Sequence, residues 1–345
     1  MNTFTNQNDA NVFNIAFQYV LPYYNHPHRK YHNFDHITDM LFNYKESDIN
    51  VLLAILFHDS VYDVTSTINE WESADRFKNV FIPYLKSENW KKLDYASELE
   101  IKEVHLDDID IEGIYTAIID TATHVSTPGN SISKILCDLD MKILYSGTFD
   151  ELLKYENLIF KEYQRFDIGD YVRGRIEFLS KYASKNPNIA SLISYIQNKT
   201  YNIGIYPGSF NPFHIGHLDI LERAERIFDK VILFRGINPD KADTAKYSMP
   251  TSISNRQTIE STGLTTDTMK DYLGIKTNYT VIRGIRASLD LEYESNYCFW
   301  LKEIKEGVNT IHILSQPEHE KISSSSLREM KRLGRDDLYN KYIVR

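Results

Sequence analysis

At 345 residues the chain suits two domains, each able to bury its own core, and its 42% apolar and 25% charged content is that of a globular protein. A formal net charge of −9 argues against broad contact with nucleic acid, which needs clustered Lys and Arg, but leaves room for a local basic nucleotide pocket. The longest aliphatic run, Val51 to Phe57, is far short of the ~20 residues that span a bilayer.

The polar start, Met1 to Ala10, carries no signal-peptide pattern, so a cytoplasmic protein with no membrane partner is expected. Cys137 and Cys298 fit no metal or redox spacing and are expected as small buried apolar residues. The 24 tyrosines are scattered and form no repeating platform.

From residue 10 to about 198 the pattern is helical. Val12, Ile15, Ala16 and Tyr19 recur at helical spacing, then Ile37, Met40, Leu41 and Tyr44, then Leu152, Tyr155, Ile159 and Tyr163. Pro22, Pro27, Pro128, Gly129 and Gly147 punctuate the segments. Within them stand Tyr31-His-Asn-Phe-Asp-His36, Phe57-His-Asp59, His124, Asp138 and Asp140. Burying Asp59 on an apolar helix without a partner is costly. A divalent metal would resolve that cost, holding both His58 and Asp59 with His36 and a later Asp, and would activate water for phosphate hydrolysis. A hydrogen-bonded buried pair or a cap is the plainer account of a lone His-Asp.

The wider set resembles the HD phosphohydrolase superfamily, through Tyr31 to Ile37, Phe57 to Asp63 and Asp138 to Asp140, over about residues 10 to 180. That resemblance implies a metal set of His36, His58, Asp59 and either Asp138 or Asp140. The ion would be Mn²⁺, Fe²⁺, Ni²⁺ or Zn²⁺. Arg29, His32 and His124 are candidates for phosphate, for a second metal or for structure.

The linker is expected over Ser184 to Thr200, where Lys185-Asn-Pro-Asn188 breaks a helix, and the grammar then changes. Tyr201 to Tyr206 reads as a buried strand, Gly216 to Phe228 as a helix with Ile220, Ala224 and Ile227 on one face, and Lys230 to Phe234 as a second strand. Tyr279 to Arg283 and Thr310 to Leu314 follow as later strands. This alternation implies a parallel, doubly wound sheet. Gly208-Ser-Phe-Asn-Pro-Phe-His-Ile-Gly-His217 falls between the first strand and first helix, where such sheets bind ligands at free N–H groups. Gly208 and Gly216 permit a sharp turn and close approach of backbone to phosphate. His214 and His217 can set two imidazoles on one side of the junction. An isolated His-x-x-His usually caps or packs; here it sits within a ten-residue pattern in strand–loop–helix context.

These residues resemble the His-x-Gly-His nucleotidyltransferase superfamily, and within it bacterial phosphopantetheine adenylyltransferase, over nearly all of Tyr201 to Arg345. Ile205 to Phe210, Gly216 to Ile220, Asn238 to Lys241, Arg283 to Glu294 and Ile322 to Leu327 carry the likeness. It implies that His217, with His214, stabilises the transition state at the α-phosphate. It places Ser209 and Phe210 at the ligand, Lys241 and Arg283 at the acceptor phosphate, Arg286 and Glu294 on the ATP side, and Ser324 and Ser325 at the triphosphate. Asn211 and His214 depart from the pantetheine pattern, where Asp and Thr are usual. They keep nicotinamide mononucleotide adenylyltransferase, with a regulatory, non-catalytic HD domain, as the alternative.

The expected molecule is therefore multidomain: an all-α HD domain over 1–198, then an α/β Rossmann-like adenylyltransferase over 199–345. Its partners are ATP with Mg²⁺ and a small phosphorylated acceptor, and its relatives' habit implies a homo-oligomer.

Overall fold

The computed structural model describes the chain except residues 1–3, 5, 102, 238–247 and 287, and gives backbone alone at 95, 288–291 and 293. It divides into two compact units, Met1–Glu162 with Lys181–Leu192, and Tyr163–Ser180 with Ile193–Arg345. Residues 163–180 thus group with the sheet rather than with the helices before them. Hydrogen bonds within the second unit give the reason. Lys230 Nζ and the Gln257 N–H both donate to the Gln164 carbonyl, and the Tyr272 hydroxyl donates to Asp167 at 2.7 Å.

The first unit is helical among its described residues. In order come α1 (Gln7–Tyr24), α2 (Phe34–Asn43), α3 (Ile49–Phe57), α4 (Asn69–Asp75), α5 (Ile82–Lys86), α6 (Asp94–Glu98) and α7 (Ile111–Asp120). Then follow α8 (Ser131–Asp140), α9 (Lys142–Ser146) and α10 (Phe149–Glu162). Helix α11 (Ile168–Ser180) belongs to the second unit, and the division falls inside α12 (Pro187–Asn198). Side-chain caps start the helices that matter for the site: Asn33 accepts from the Asp35 and His36 N–H groups, Asp48 from Asn50, and Asn130 from Ser133. Helix α3 is apolar apart from half-buried Asn50 and every other residue in it is buried, so it forms the unit's central rod and delivers His58 and Asp59 at its end.

The second unit holds a five-stranded sheet of β1 (Thr200–Gly208), β2 (Lys230–Gly236), β3 (Thr258–Ser261), β4 (Lys276–Ile285) and β5 (Asn309–Leu314). The order is β3-β2-β1-β4-β5 and every pairing is parallel, with Ile205 of β1 between Ile232 of β2 and Val281 of β4. Successive side chains alternate between faces. Tyr206, Leu233, Ile282 and Ile313 meet α13 (Ile215–Ala224) on one face, while Ile205, Phe234 and Val281 meet Leu301 of α14 (Ser288–Ile304) on the other. Two further helices, α15 (Ser324–Arg332) and α16 (Asp336–Tyr342), close the chain.

The winding direction reverses between β1 and β4, which opens a crevice at their carboxyl ends. Two expectations need correcting. The first sheet helix ends at Ala224 rather than Phe228, so Ile220 and Ala224 are buried but Ile227 is exposed. Strand β3 was not foreseen, because Thr-Ile-Glu-Ser has one aliphatic residue and no alternation worth reading. No described helix is long and apolar enough to cross a membrane.

Candidate functional site

The loop from β1 to α13 lies at that crevice. Phe210 adopts φ +45, a left-handed conformation that costs a bulky residue roughly 1–2 kcal/mol. Its ring offsets the cost by complete burial, against Tyr206, Phe213 and His217 at 5.2, 5.4 and 5.1 Å. A Cβ on residue 208 would sit 2.7 Å from that ring, so only glycine fits there. Ser209, beside it, is exposed toward solvent. The loop is thus an aromatic wedge with Ser209 on the outside and Asn211 and His214 buried beside it.

His214 caps α13 and forms a reciprocal pair with His217. The His217 N–H donates to His214 Nδ1 and the His214 N–H donates to His217 Nδ1, each at 3.3 Å, and the rings stack with centroids 3.6 Å apart. A ring nitrogen that accepts carries no hydrogen, so both neutral imidazoles have their proton on Nε2. Burial, joined by the positive charge of Arg286, pulls His214 down to about 4 and His217 well below the ordinary histidine range. The pair is therefore neutral at neutral pH and offers two Nε2–H donors at a helix N-terminus.

The end of β4 and helix α15 approach the loop. Arg286 is exposed just past β4. Arg283, within β4, is gripped by buried Glu294 of α14, Nε to Oε2 at 2.5 Å and Nη2 to Oε1 at 2.7 Å, and lies 4.5 Å from the Tyr297 ring. Glu294 thus acts on Arg283, and a direct line from Arg283 to an acceptor phosphate must share the guanidinium with this carboxylate. In the serine run Ser323 is the N-cap of α15, Ser324 Oγ donates to the Pro212 carbonyl at 3.0 Å, and Ser325 accepts from Arg328 at 3.0 Å. Arg328 also donates to the Asn211 carbonyl at 2.5 Å.

The α15 N-terminus is thereby tied to the His-bearing loop, through an arginine that sequence reasoning missed. The signal was present in the Leu327-Arg328 that ends the serine-rich motif. His319 was missed too; its Cβ lies 3.6 Å from where a Cβ on Gly216 would be. Lys241, expected at the acceptor phosphate, lies outside the described residues, with the rest of Asn238 to Lys241.

In the helical unit His36, His58 and Asp140 bring one ligand atom each within 4.8 Å of one another. His36 Nε2 is 3.2 Å from Asp140 Oδ1, and His58 Nε2 is 3.1 Å from Asp59 Oδ2 and 3.9 Å from Asp140 Oδ1. Both Nε2 atoms are buried and neither makes a hydrogen bond of good geometry. His58 Nδ1 is 2.9 Å from the Ile55 carbonyl, an acceptor that fixes a hydrogen on Nδ1 and turns Nε2 toward the carboxylates. Burial would discharge His58, but Asp59 and Asp140 outweigh it and lift its pKa to about 9. The same field pulls on a cation.

Asp138, carried as a possible ligand, is exposed on α8, two residues before Asp140 and so on another side of the helix; it does not join the group. His124, at φ +54, reaches Asp140 Oδ2 at 2.9 Å. Arg29 spends its guanidinium on the carbonyls of His32, Asp59 and Ser60 and so braces the turn after α3. His32 bonds Glu162, a residue no motif flagged. Of the cysteines, Cys137 is buried as expected, but Cys298 is half-buried, 3.8 Å from His312 Nε2.

Comparison with known proteins matches residues 205–330 to the cytidylyltransferase-like family. A phosphopantetheine adenylyltransferase of Streptococcus pneumoniae strain JJA is 33% identical over 139 residues, which is 39% of this chain and 86% of the relative. Its counterpart from strain R6 is 32% identical over the same shares. Among solved structures, a candidate nicotinate-nucleotide adenylyltransferase from Vibrio parahaemolyticus aligns with a TM-score of 0.28 and 19% identity, covering 42% of this chain and 88% of that one.

Proposed function

The chain belongs, through its C-terminal part, to the adenylyltransferases of the cytidylyltransferase-like nucleotidyltransferase family, and from that membership we propose that its acceptor is 4′-phosphopantetheine and its product dephospho-coenzyme A. The observation that carries this acceptor is the 33% identity with 86% of a phosphopantetheine enzyme; the neutral His214–His217 pair beside the β1–β4 crevice supports the adenylyl transfer itself. An oxygen of the acceptor phosphate attacks the α-phosphorus of ATP, the bond from that phosphorus to the bridging oxygen breaks, and pyrophosphate leaves with the bonding pair. Little covalent help is needed.

The two Nε2–H donors meet charge as it grows on the α-phosphoryl oxygens, and being already neutral and oriented they reorganise little. Arg286 and the α15 N-terminus serve the triphosphate, which arrives with Mg²⁺. Lys241 steers the acceptor, and Arg283 does so while held by Glu294. The test is pyrophosphate release from ATP and Mg²⁺ across acceptors. Release with 4′-phosphopantetheine is expected; release with nicotinamide mononucleotide alone would move the chain to that branch.

A second activity is favoured by the unpartnered, buried Nε2 atoms of His36 and His58. They fit a divalent transition ion, Mn²⁺, Fe²⁺, Ni²⁺ or Zn²⁺, held by His36, His58 and Asp140, with Asp59 as a fourth ligand if it turns in from its place beside His58, in an HD-type phosphohydrolase site. Such an ion lowers the pKa of water and orients phosphate for hydrolysis. Metal analysis of the purified protein together with hydrolysis of generic phosphate esters tests it. A protein free of metal and inert on esters would make this unit a regulatory module of the transferase.

A further inference from the structure

His32 is anchored more elaborately than packing requires. Its Nδ1 lies 2.7 Å from Oε2 of Glu162, a carboxylate whose side chain is wholly buried. Oε1 of Glu162 accepts the main-chain N–H groups of Lys30, Tyr31 and His32 at 2.7, 2.8 and 3.0 Å, and Oε2 also accepts the Tyr62 hydroxyl at 2.7 Å. The Tyr62 ring stacks on the imidazole at 4.3 Å. Five donors on one carboxylate, with a stacked ring, leave His32 a single orientation. The start of α2 needs none of this, because Asn33 already caps it.

The other side of the ring is open. His32 Nε2 has no hydrogen-bond partner among the described residues, its side chain is 22% exposed, and its ring stands 6.0 Å from that of His36. It does not gather with the metal-binding atoms, which are those of His36, His58 and Asp140. It therefore flanks the ion's place without ligating there. A buried anion behind a ring is the arrangement that supports a hydrogen on both nitrogens and directs the outer one at an anion.

Resting on the metal-site reading above, we propose that His32 donates its Nε2–H to an oxygen of a phosphoryl group bound at that ion, with Glu162 and Tyr62 as positioning residues. The full-length protein loaded with Mn²⁺ and titrated with inorganic phosphate, followed by phosphorus relaxation, tests this. His32→Gln, whose amide can still donate to Glu162, and His32→Phe, which keeps the stack on Tyr62, should retain wild-type Mn²⁺ stoichiometry and affinity while phosphate binds at least about tenfold more weakly.

Phosphate binding within twofold of wild type in a variant that still holds Mn²⁺ overturns the role of His32 and leaves the metal site standing. Wild-type protein that takes up no Mn²⁺ sinks both. In the wild-type protein loaded with Zn²⁺, and so independently of any variant's folding, the nitrogen resonance of His32 Nε2 should move on adding phosphate; an unmoved resonance overturns the proposal.

Discussion

His214 and His217 fix each other's tautomer through main-chain donors, so their service as Nε2–H donors does not depend on a proton arriving from solution. Replacing His217 with Ala should lower kcat by about 10²–10³, the cost of one preorganised donor, with KM for ATP much less affected. Because burial and Arg286 hold the His214 pKa down at about 4, below an unfolded value of about 6.5, the sign of the pH effect follows. The pair's contribution to stability is fully present above about pH 6.5 and is lost as the pH falls from there toward 4 and below.

Turnover should show no histidine inflection between pH 6 and 8. A pH–rate profile with a step near 6.5 that disappears in His217→Asn would contradict the neutral pair. In the helical unit Asp140→Ala or His58→Ala should abolish the rise in melting temperature on adding Mn²⁺, a rise worth about 2.7 kcal/mol at a hundred times Kd. Asp138→Ala, at an exposed position, should leave that rise intact. Thermal melts with metal and with chelator measure both.

The β1–α13 loop depends on a glycine beside an aromatic wedge, and Gly208→Ala should cost about 1–3 kcal/mol as its methyl meets the Phe210 ring. Lost ATP-dependent protection in thermal unfolding would report the displaced loop. Helix α15 docks on the same loop through Arg328, so Arg328→Ala should weaken ATP binding and raise its KM while the helical unit keeps its metal response. A KM for ATP unchanged in that variant would mean that the serine loop is held by other contacts.

How far such elements could be read in advance followed their chemistry. Continuous apolar runs such as Lys230-Val-Ile-Leu-Phe234 announced buried parallel strands. Strand β3 escaped because its pairing with Leu233 to Gly236 of β2, not its own composition, makes it a strand. The reach of Glu162 to residues 30–32 spans about 130 positions, and no local pattern records a contact of that kind.

At the scale of the molecule, the chain divides into two compact units, and the second recruits helix α11 from within the helical half of the sequence. A fragment of residues 163–345 should therefore melt higher than one of residues 199–345, which lacks the Gln164 acceptor for Lys230 and Gln257 and the Asp167 acceptor for Tyr272. Equal melting temperatures would mean that those bonds add nothing to the sheet.

The sequence by itself determined the family of the transferase, the strand–loop–helix frame and the cast of histidines, because glycines, phosphate-loop spacing and apolar periodicity are local properties. Tertiary structure alone decided that Asp140 rather than Asp138 faces His36 and His58, that Glu294 grips Arg283, and that Glu162 stands behind His32. Each of these depends on which side chains distant stretches of chain bring within hydrogen-bond reach, and that is set by packing rather than by spacing.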